Sequence, residues 1–125
     1  MGEKVAIIGS REWADYEMVR DYVESLDEDD TVVSGGARGV DQLAQIYAED
    51  RGLNTIIFPA DWNQHGVGAG LLRNQDIVAK ADRVVAFWDG VSPGTQYSLD
   101  LARRAGKPVL VFRPSGFGPR TSPGP

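Results

Sequence analysis

The sequence contains no cysteine and only one histidine, His65. The lack of cysteine excludes disulfides, thiolate metal sites and a cysteine nucleophile. A single histidine without cysteine partners does not make a zinc site either, so we expect no metal site. A cysteine-free chain also fits a reducing compartment, and we therefore expect the protein to be cytoplasmic.

Long apolar runs and an excess of positive charge are missing as well. No stretch approaches the ~20 apolar residues of a membrane span, and the first residues lack the apolar length of a signal peptide. Lysine and arginine number 13 against 18 aspartates and glutamates, which gives a net charge of −5. An acidic chain lacks the field that drives nonspecific binding to nucleic acids. We therefore expect neither a membrane nor a nucleic acid as partner.

The 125 residues, 42% of them hydrophobic, suffice for one hydrophobic core. Five short apolar runs recur along the chain and do not alternate with polar residues, which is typical of strands buried on both faces of a parallel sheet. These runs are Val5–Ile8, Thr31–Val33, Thr55–Phe58, Val84–Trp88 and Val109–Phe112.

Segments with helical spacing of apolar residues lie between the predicted strands. Their stripes are Tyr16, Val19, Val23 and Leu26; Val40, Leu43, Ala44 and Tyr47; Leu71, Val78 and Ala81; and Ser98, Leu101, Ala102 and Ala105. Gly52 and Gly106 stand where a left-handed residue ends a helix. The alternation predicts a Rossmann-like, doubly wound α/β fold, with a five-stranded parallel sheet and helices on both faces. We assign this domain to residues 1–112 and expect residues 113–125, rich in proline and glycine, to form a flexible tail.

Glycine-rich turns follow the first, second and fourth predicted strands, over residues 9–11, 34–39 and 89–95. Open α/β sheets bind ligands at the carboxyl ends of their strands. Glycines allow close approach to an anion, and helix N-termini offer free N–H donors. Neither the P-loop pattern nor the dinucleotide fingerprint occurs. The turns therefore predict a phosphate-binding crevice of neither common type.

The candidate ligand-binding residues come from these turns and their surroundings. Arg11 and Arg38 would supply positive charge, and Trp62 would stack on a base. Asp41 and Asp89 have alternatives as helix-dipole or turn residues. Residues 66–70 indicate a mobile flap before Arg73. The full set is Gly9, Ser10, Arg11, Ser34, Gly35, Gly36, Arg38, Gly39, Asp41, Trp62, Arg73, Asp89, Gly94 and Thr95.

Several motifs together resemble the YspA-related branch of the SLOG superfamily, over nearly everything from Lys4 to Phe112. They are Gly9–Arg11, Val33–Asp41, Phe58–Trp62, Arg73–Asn74 and Trp88–Thr95. The superfamily is Rossmann-like and includes the Lonely Guy phosphoribohydrolases and the DNA-processing protein A family. The resemblance implies that nucleotides or nucleotide-derived molecules bind at the glycine-rich edge.

Individual positions carry the resemblance further. Residues 34–41 are similar to the loop with which DNA-processing protein A contacts phosphates of single-stranded DNA. Gly94, Thr95 and Arg73 resemble the glycine motif and the catalytic arginine of the Lonely Guy enzymes. However, Ser98 stands where those enzymes have their catalytic glutamate, and Pro93 replaces a glycine. This departure argues against hydrolysis of that type.

Three functions are compatible with these residues. The leading one is binding or sensing of a nucleotide or nucleotide-derived small molecule. The second is hydrolysis of an N-glycosidic bond, with Arg73, Asp89 and Asp61 as catalytic candidates, and the third is binding of single-stranded nucleic acid. We expect no cofactor; a magnesium ion that accompanies a bound nucleotide is compatible with the sequence, as is a homo-oligomer.

Overall fold

The computed structural model describes residues 2–114, and these residues form a five-stranded parallel sheet with helices on both faces. The strands are β1 (Lys4–Gly9), β2 (Thr31–Ser34), β3 (Asn54–Ile57), β4 (Arg83–Phe87) and β5 (Val109–Phe112). All neighbours pair in parallel, in the order β3-β2-β1-β4-β5. The predicted Rossmann-like, doubly wound α/β fold is confirmed.

Five helices connect the strands: α1 (Tyr16–Glu24), α2 (Val40–Asp50), the short α3 (Trp62–His65), α4 (Ala69–Lys80) and α5 (Pro93–Arg104). Gly52 and Gly106 have φ angles of 78° and 72°, so both adopt the left-handed conformation that the sequence predicted after the helices. The tail predicted for residues 113–125 lies outside the described residues from position 115 onward. No helix within residues 2–114 is long and apolar enough to cross a bilayer.

Two hydrophobic clusters hold the helices to the sheet, and alternate residues of β1 belong to one or the other. Val5 and Ile7 pack with α1 and α2 on one face. Ala6 and Ile8 pack with α4 and α5 on the opposite face. Because side chains of a strand alternate between the two faces, a strand covered on both sides must be apolar throughout. This burial explains the continuous apolar runs of the sequence.

The segment predicted as a flap, residues 66–70, has helical backbone instead. Gly66–Gly68 form a 3₁₀ turn, and α4 begins at Ala69, within the predicted flap. Asp61 is the N-cap of α3, the helix before this segment, and its carboxylate accepts a hydrogen bond from the Gln64 N–H at 3.0 Å. Three glycines in this segment concealed the helical conformation, because glycine has a low intrinsic helix propensity.

The order of the strands locates a crevice at one edge of the sheet. The chain proceeds outward from β1 to β2 and β3, then returns to the other side of β1 with β4 and β5. The connections after β1 and β4 therefore leave the sheet toward opposite faces and open a crevice between them at the carboxyl ends of these strands.

Candidate functional site

A crevice of about 500 Å³ lies at this edge of the sheet. Its walls come from the ends of β1, the loop between β2 and α2, the first turns of α4 and the start of α5. The lining residues are Ile8, Gly9, Arg11, Glu12, Ala37, Asp41, Gly70, Leu71, Arg73, Asn74, Ser92, Pro93, Gly94, Thr95 and Ser98.

Glycines bring the backbones of the crevice loops into contact. A Cβ atom on Gly9 would lie 2.3 Å from the Phe87 carbonyl oxygen, and one on Gly39 would lie 2.5 Å from the Ser10 carbonyl oxygen. Gly39 also has a φ angle of 87°, which other residues rarely adopt. The turns after β1 and β2 therefore pack against each other, which places Arg11 beside the loop that leads into α2.

Arg73 connects α4 to the loop after β2. Its Nη1 donates to the Gly35 carbonyl oxygen at 2.9 Å, and its Nε donates to Asn74 Oδ1 at 2.9 Å. A Cβ atom on Gly35 would lie 2.4 Å from Nη1, so a larger residue here would displace the Arg73 side chain from this position. A guanidinium has five N–H donors, so Arg73 keeps donors for a ligand while its position is fixed.

Asp41, in the first turn of α2, lies at the floor of the crevice and is only 8% exposed. Burial raises the pKa of its carboxyl group to about 6, although the charges of Arg73 and Arg11 and hydrogen bonds from the Ala37 and Gly35 backbone oppose this effect. The floor of the crevice thus carries a carboxyl group on which two cationic side chains act electrostatically.

The N-terminus of α5 forms the opposite wall. The N-cap residue Ser92 makes no side-chain capping bond, and Pro93 occupies the first turn. Gly94 and Thr95 follow it and line the crevice. Ser98 is buried, and its hydroxyl donates to the Gly94 carbonyl oxygen at 3.2 Å. A 12-residue helix offers an anion both unpaired N–H groups and a favourable dipole at this end.

Asp89 shapes the turn after β4 and does not line the crevice. Its carboxylate accepts hydrogen bonds from the N–H groups of Val91 and Ser92, both at 2.9 Å, and from the Ser92 hydroxyl at 3.0 Å. Burial raises the pKa of Asp89, but these bonds and one involving Ser10 outweigh it and lower the pKa below its ordinary value. Ser10 is buried and accepts from the Asp89 N–H at 3.1 Å. Both residues hold the loop in place.

A second concavity, which we call the shelf, adjoins the crevice. Its lining residues are Arg11, Gly35, Gly36, Ala37, Arg38, Pro59, Ala60, Trp62 and Arg73. Arg11, Ala37 and Arg73 belong to the crevice as well. The Arg38 side chain is 71% exposed and pairs with Glu12 at 3.4 Å, and Trp62 is 53% exposed. The shelf is thus an open, partly basic surface with an indole on it.

The structure divides the predicted binding residues into three groups. Gly9, Arg11, Asp41, Arg73, Gly94 and Thr95 line the crevice. Gly35, Gly36, Arg38 and Trp62 lie on the shelf. Ser10, Ser34, Gly39 and Asp89 line neither; Ser34, for example, is fully buried and donates from its hydroxyl to the Asp41 carbonyl oxygen at 3.1 Å.

The predicted set omits several side chains of the crevice, among them Glu12, Leu71, Asn74 and Ser92. Glu12 and Asn74 directly follow the arginines that it did select, so adjacency was the available signal. Leu71 was assigned to a helical core stripe, but it is 45% exposed and lines the crevice. The stripe predicted for α4 is wrong at this residue because the first turns of the helix extend past the edge of the sheet.

Comparisons with known proteins agree with this architecture. The model of the YspA, cpYpsA-related SLOG family matches residues 3–65. The Gene 61 protein of Mycobacterium phage D29 is 39% identical over 119 residues, which cover 87% of this chain and 95% of that protein.

Two solved structures share the fold. DNA processing protein A from Streptococcus pneumoniae superposes with a TM-score of 0.79 at 21% identity, over 92% of this chain and 52% of that one. DNA processing protein A from Helicobacter pylori, which was solved to explain its single-stranded DNA binding mode, superposes with a TM-score of 0.66 at 28% identity. The match covers 87% of this chain and 64% of that one. The chain thus spans about half to two thirds of the length of these proteins.

Proposed function

The chain belongs to the YspA, cpYpsA-related SLOG family, and from this premise we propose that it binds a nucleotide or nucleotide-derived small molecule in the crevice. The phosphate lies between Arg11, Arg73 and the N-terminus of α5. The observation that carries this proposal is the convergence of two guanidinium groups and one helix N-terminus on a single crevice.

The dimensions of the crevice favour a small ligand. Pockets for small molecules typically measure about 300–1,000 Å³, and the volume here, about 500 Å³, falls in that range. Arginine suits phosphate because its planar fork donates two parallel hydrogen bonds. The positive charge of the site is limited, since Asp41 and Glu12 line it together with the arginines. This distribution suits one phosphate-bearing unit better than a continuous phosphate backbone.

Binding of single-stranded nucleic acid is the second candidate, and the shelf favours it. Arg38 and the exposed Trp62 lie next to the crevice and would offer a phosphate contact and a stacking surface to a second nucleotide. The likeness to DNA processing protein A from H. pylori, which binds single-stranded DNA, supports this candidate as well. A nucleic-acid partner, which we did not expect from the acidic sequence, is therefore plausible.

Hydrolysis of an N-glycosidic bond receives less support from the geometry. Of its three catalytic candidates, Arg73 lines the crevice, whereas Asp89 and Asp61 cap a turn and a helix. Ser98 is buried and bonded to the backbone at the position where the related hydrolases carry glutamate. We therefore propose binding without turnover.

Isothermal titration calorimetry with the four ribonucleoside 5′-monophosphates and the four matching nucleosides tests the proposed function. We expect at least one monophosphate to bind and its nucleoside to bind about tenfold more weakly or worse, because the nucleoside lacks the charge-assisted hydrogen bonds to arginine. The variant Arg20→Ala, which removes an exposed arginine of α1 paired with Asp21, is the matched control and should bind normally. Equal affinities for nucleotide and nucleoside would contradict the placement of the phosphate.

A further inference from the structure

The crevice floor holds a group that a phosphate does not need, the carboxyl group of Asp41. It is more than nine-tenths buried and lines the crevice beside the two arginines. Buried carboxyl groups are costly unless they are paired or hydrogen-bonded. A carboxylate next to the proposed phosphate site would repel the phosphate, so a different part of the ligand has to face Asp41 as its partner.

The remaining hydrogen-bonding capacity of Asp41 defines this partner. A carboxylate accepts about four hydrogen bonds, and backbone groups of Ala37 and Gly35 are the hydrogen-bonding groups that stabilise its charge. Because an ionised carboxylate only accepts hydrogen bonds, a ligand must bring donors to it. An ionised phosphate has none, whereas the sugar of a nucleotide carries hydroxyl groups close to its phosphate.

We propose that Asp41 accepts hydrogen bonds from the ribose hydroxyls of the bound nucleotide and thereby makes the crevice selective for ribonucleotides. The proposal rests on the proposed function and names the substrate class of the same site. In this arrangement, the positive and negative groups of the crevice contact different parts of the ligand. The arginines and the α5 N-terminus hold the phosphate, and Asp41 holds the adjoining sugar.

The position of Asp41 favours the sugar over the base as its partner. The charges of Arg73 and Arg11 both act on Asp41, and the three residues line one crevice, so the carboxyl group shares the site with the groups that would hold the phosphate. In a nucleotide, the sugar adjoins the phosphate and the base lies beyond it. Leu71 lines the same crevice and offers an apolar surface for the base.

Calorimetry with matched sugars tests this inference. The ribonucleoside 5′-monophosphate that binds best in the panel is compared with its 2′-deoxy and 2′,3′-dideoxy counterparts. We expect wild-type protein to bind the 2′-deoxy compound more weakly than the ribonucleotide, and the dideoxy compound about tenfold more weakly than the ribonucleotide or worse, the scale of a lost hydrogen bond to a charged group. In Asp41→Asn, which keeps the shape and loses the charge, this ratio should fall to about threefold or less. Arg20→Ala should keep the full ratio.

The outcomes separate the two proposals. Equal binding of all three sugars by wild-type protein would overturn the ribose assignment and leave nucleotide binding intact. An undiminished ratio in Asp41→Asn would overturn the role of Asp41. Absence of binding by every monophosphate would overturn the proposed function and this inference together.

Discussion

Replacement of Arg73 by alanine should lower the affinity for the best-binding mononucleotide by about 10- to 100-fold, or roughly 1.5–3 kcal/mol. Arg73 lines the crevice and is held in place by the Gly35 carbonyl oxygen and Asn74. Alanine removes the donors to the phosphate. It also removes the hydrogen bond to the Gly35 carbonyl oxygen, which holds the loop between β2 and α2. Calorimetry with wild-type and variant protein measures the loss.

Two further variants distinguish a phosphate contact from a general disturbance. Arg73→Lys keeps the charge but loses the planar fork, so it should fall between wild type and Arg73→Ala. Arg38→Ala removes a side chain that is 71% exposed and lies on the shelf, and it should change mononucleotide affinity by less than about threefold. Unchanged affinity in a folded Arg73→Ala protein would remove this residue from the site.

Replacement of Asp41 by asparagine should stabilise the protein at pH 8, by up to about 3 kcal/mol. Burial raises the pKa of this carboxyl group from 3.8 to about 6 in the folded protein. Each tenfold change in an ionisation constant corresponds to about 1.4 kcal/mol. Between pH 3.8 and about pH 6 the folded state binds more protons than the unfolded state, so the free energy of unfolding falls as the pH rises.

The stabilisation should therefore depend on pH. Above pH 6 the wild-type protein bears the full cost of a buried charge, whereas near pH 4 the carboxyl group is protonated and the two proteins should be nearly equal in stability. Urea unfolding of both proteins at pH 8 and pH 4 measures the difference. A variant that is less stable than wild type at pH 8 would show that the ionised carboxylate stabilises the fold. The expected result instead makes Asp41 a residue retained for function at the expense of stability.

The fold could be predicted from the sequence because burial on both faces leaves a strong pattern. Each strand run was found within one or two residues of its predicted position; the third run, for example, was expected at Thr55–Phe58 and observed at Asn54–Ile57. The segment before Arg73 could not be predicted because its glycines obscure the helical pattern. In the structure Gly70 lies in α4 next to the Trp62 ring. Sequence spacing does not reveal this contact, and glycine by itself has a low helix propensity.

The candidate site was only partly predictable, because glycine-rich turns indicate where a loop bends but not where its side chains point. The sequence placed Arg38 and Arg11 in one cradle; both lie on the shelf, but Arg38 pairs with Glu12 and does not line the crevice, whereas Arg11 lines both. The left-handed Gly39 that follows Arg38 turns the chain at this point. Asp89 looked like a ligand-binding carboxylate, but its oxygens are occupied by the turn that it caps.

The length dependence of binding tests the central claim, that the site serves a small nucleotide, most directly. Fluorescence anisotropy with a labelled mononucleotide and labelled single strands of increasing length, at two salt concentrations, provides the measurement. We expect affinity to change less than about threefold with length, with the weak salt dependence of one or two phosphate contacts, because among residues 2–114 the cationic side chains that line the crevice are Arg11 and Arg73. Affinity that increases with each added nucleotide, by roughly 1–3 kcal/mol per stacked base, and that weakens steeply with salt would contradict the claim and identify a strand binder that uses the shelf.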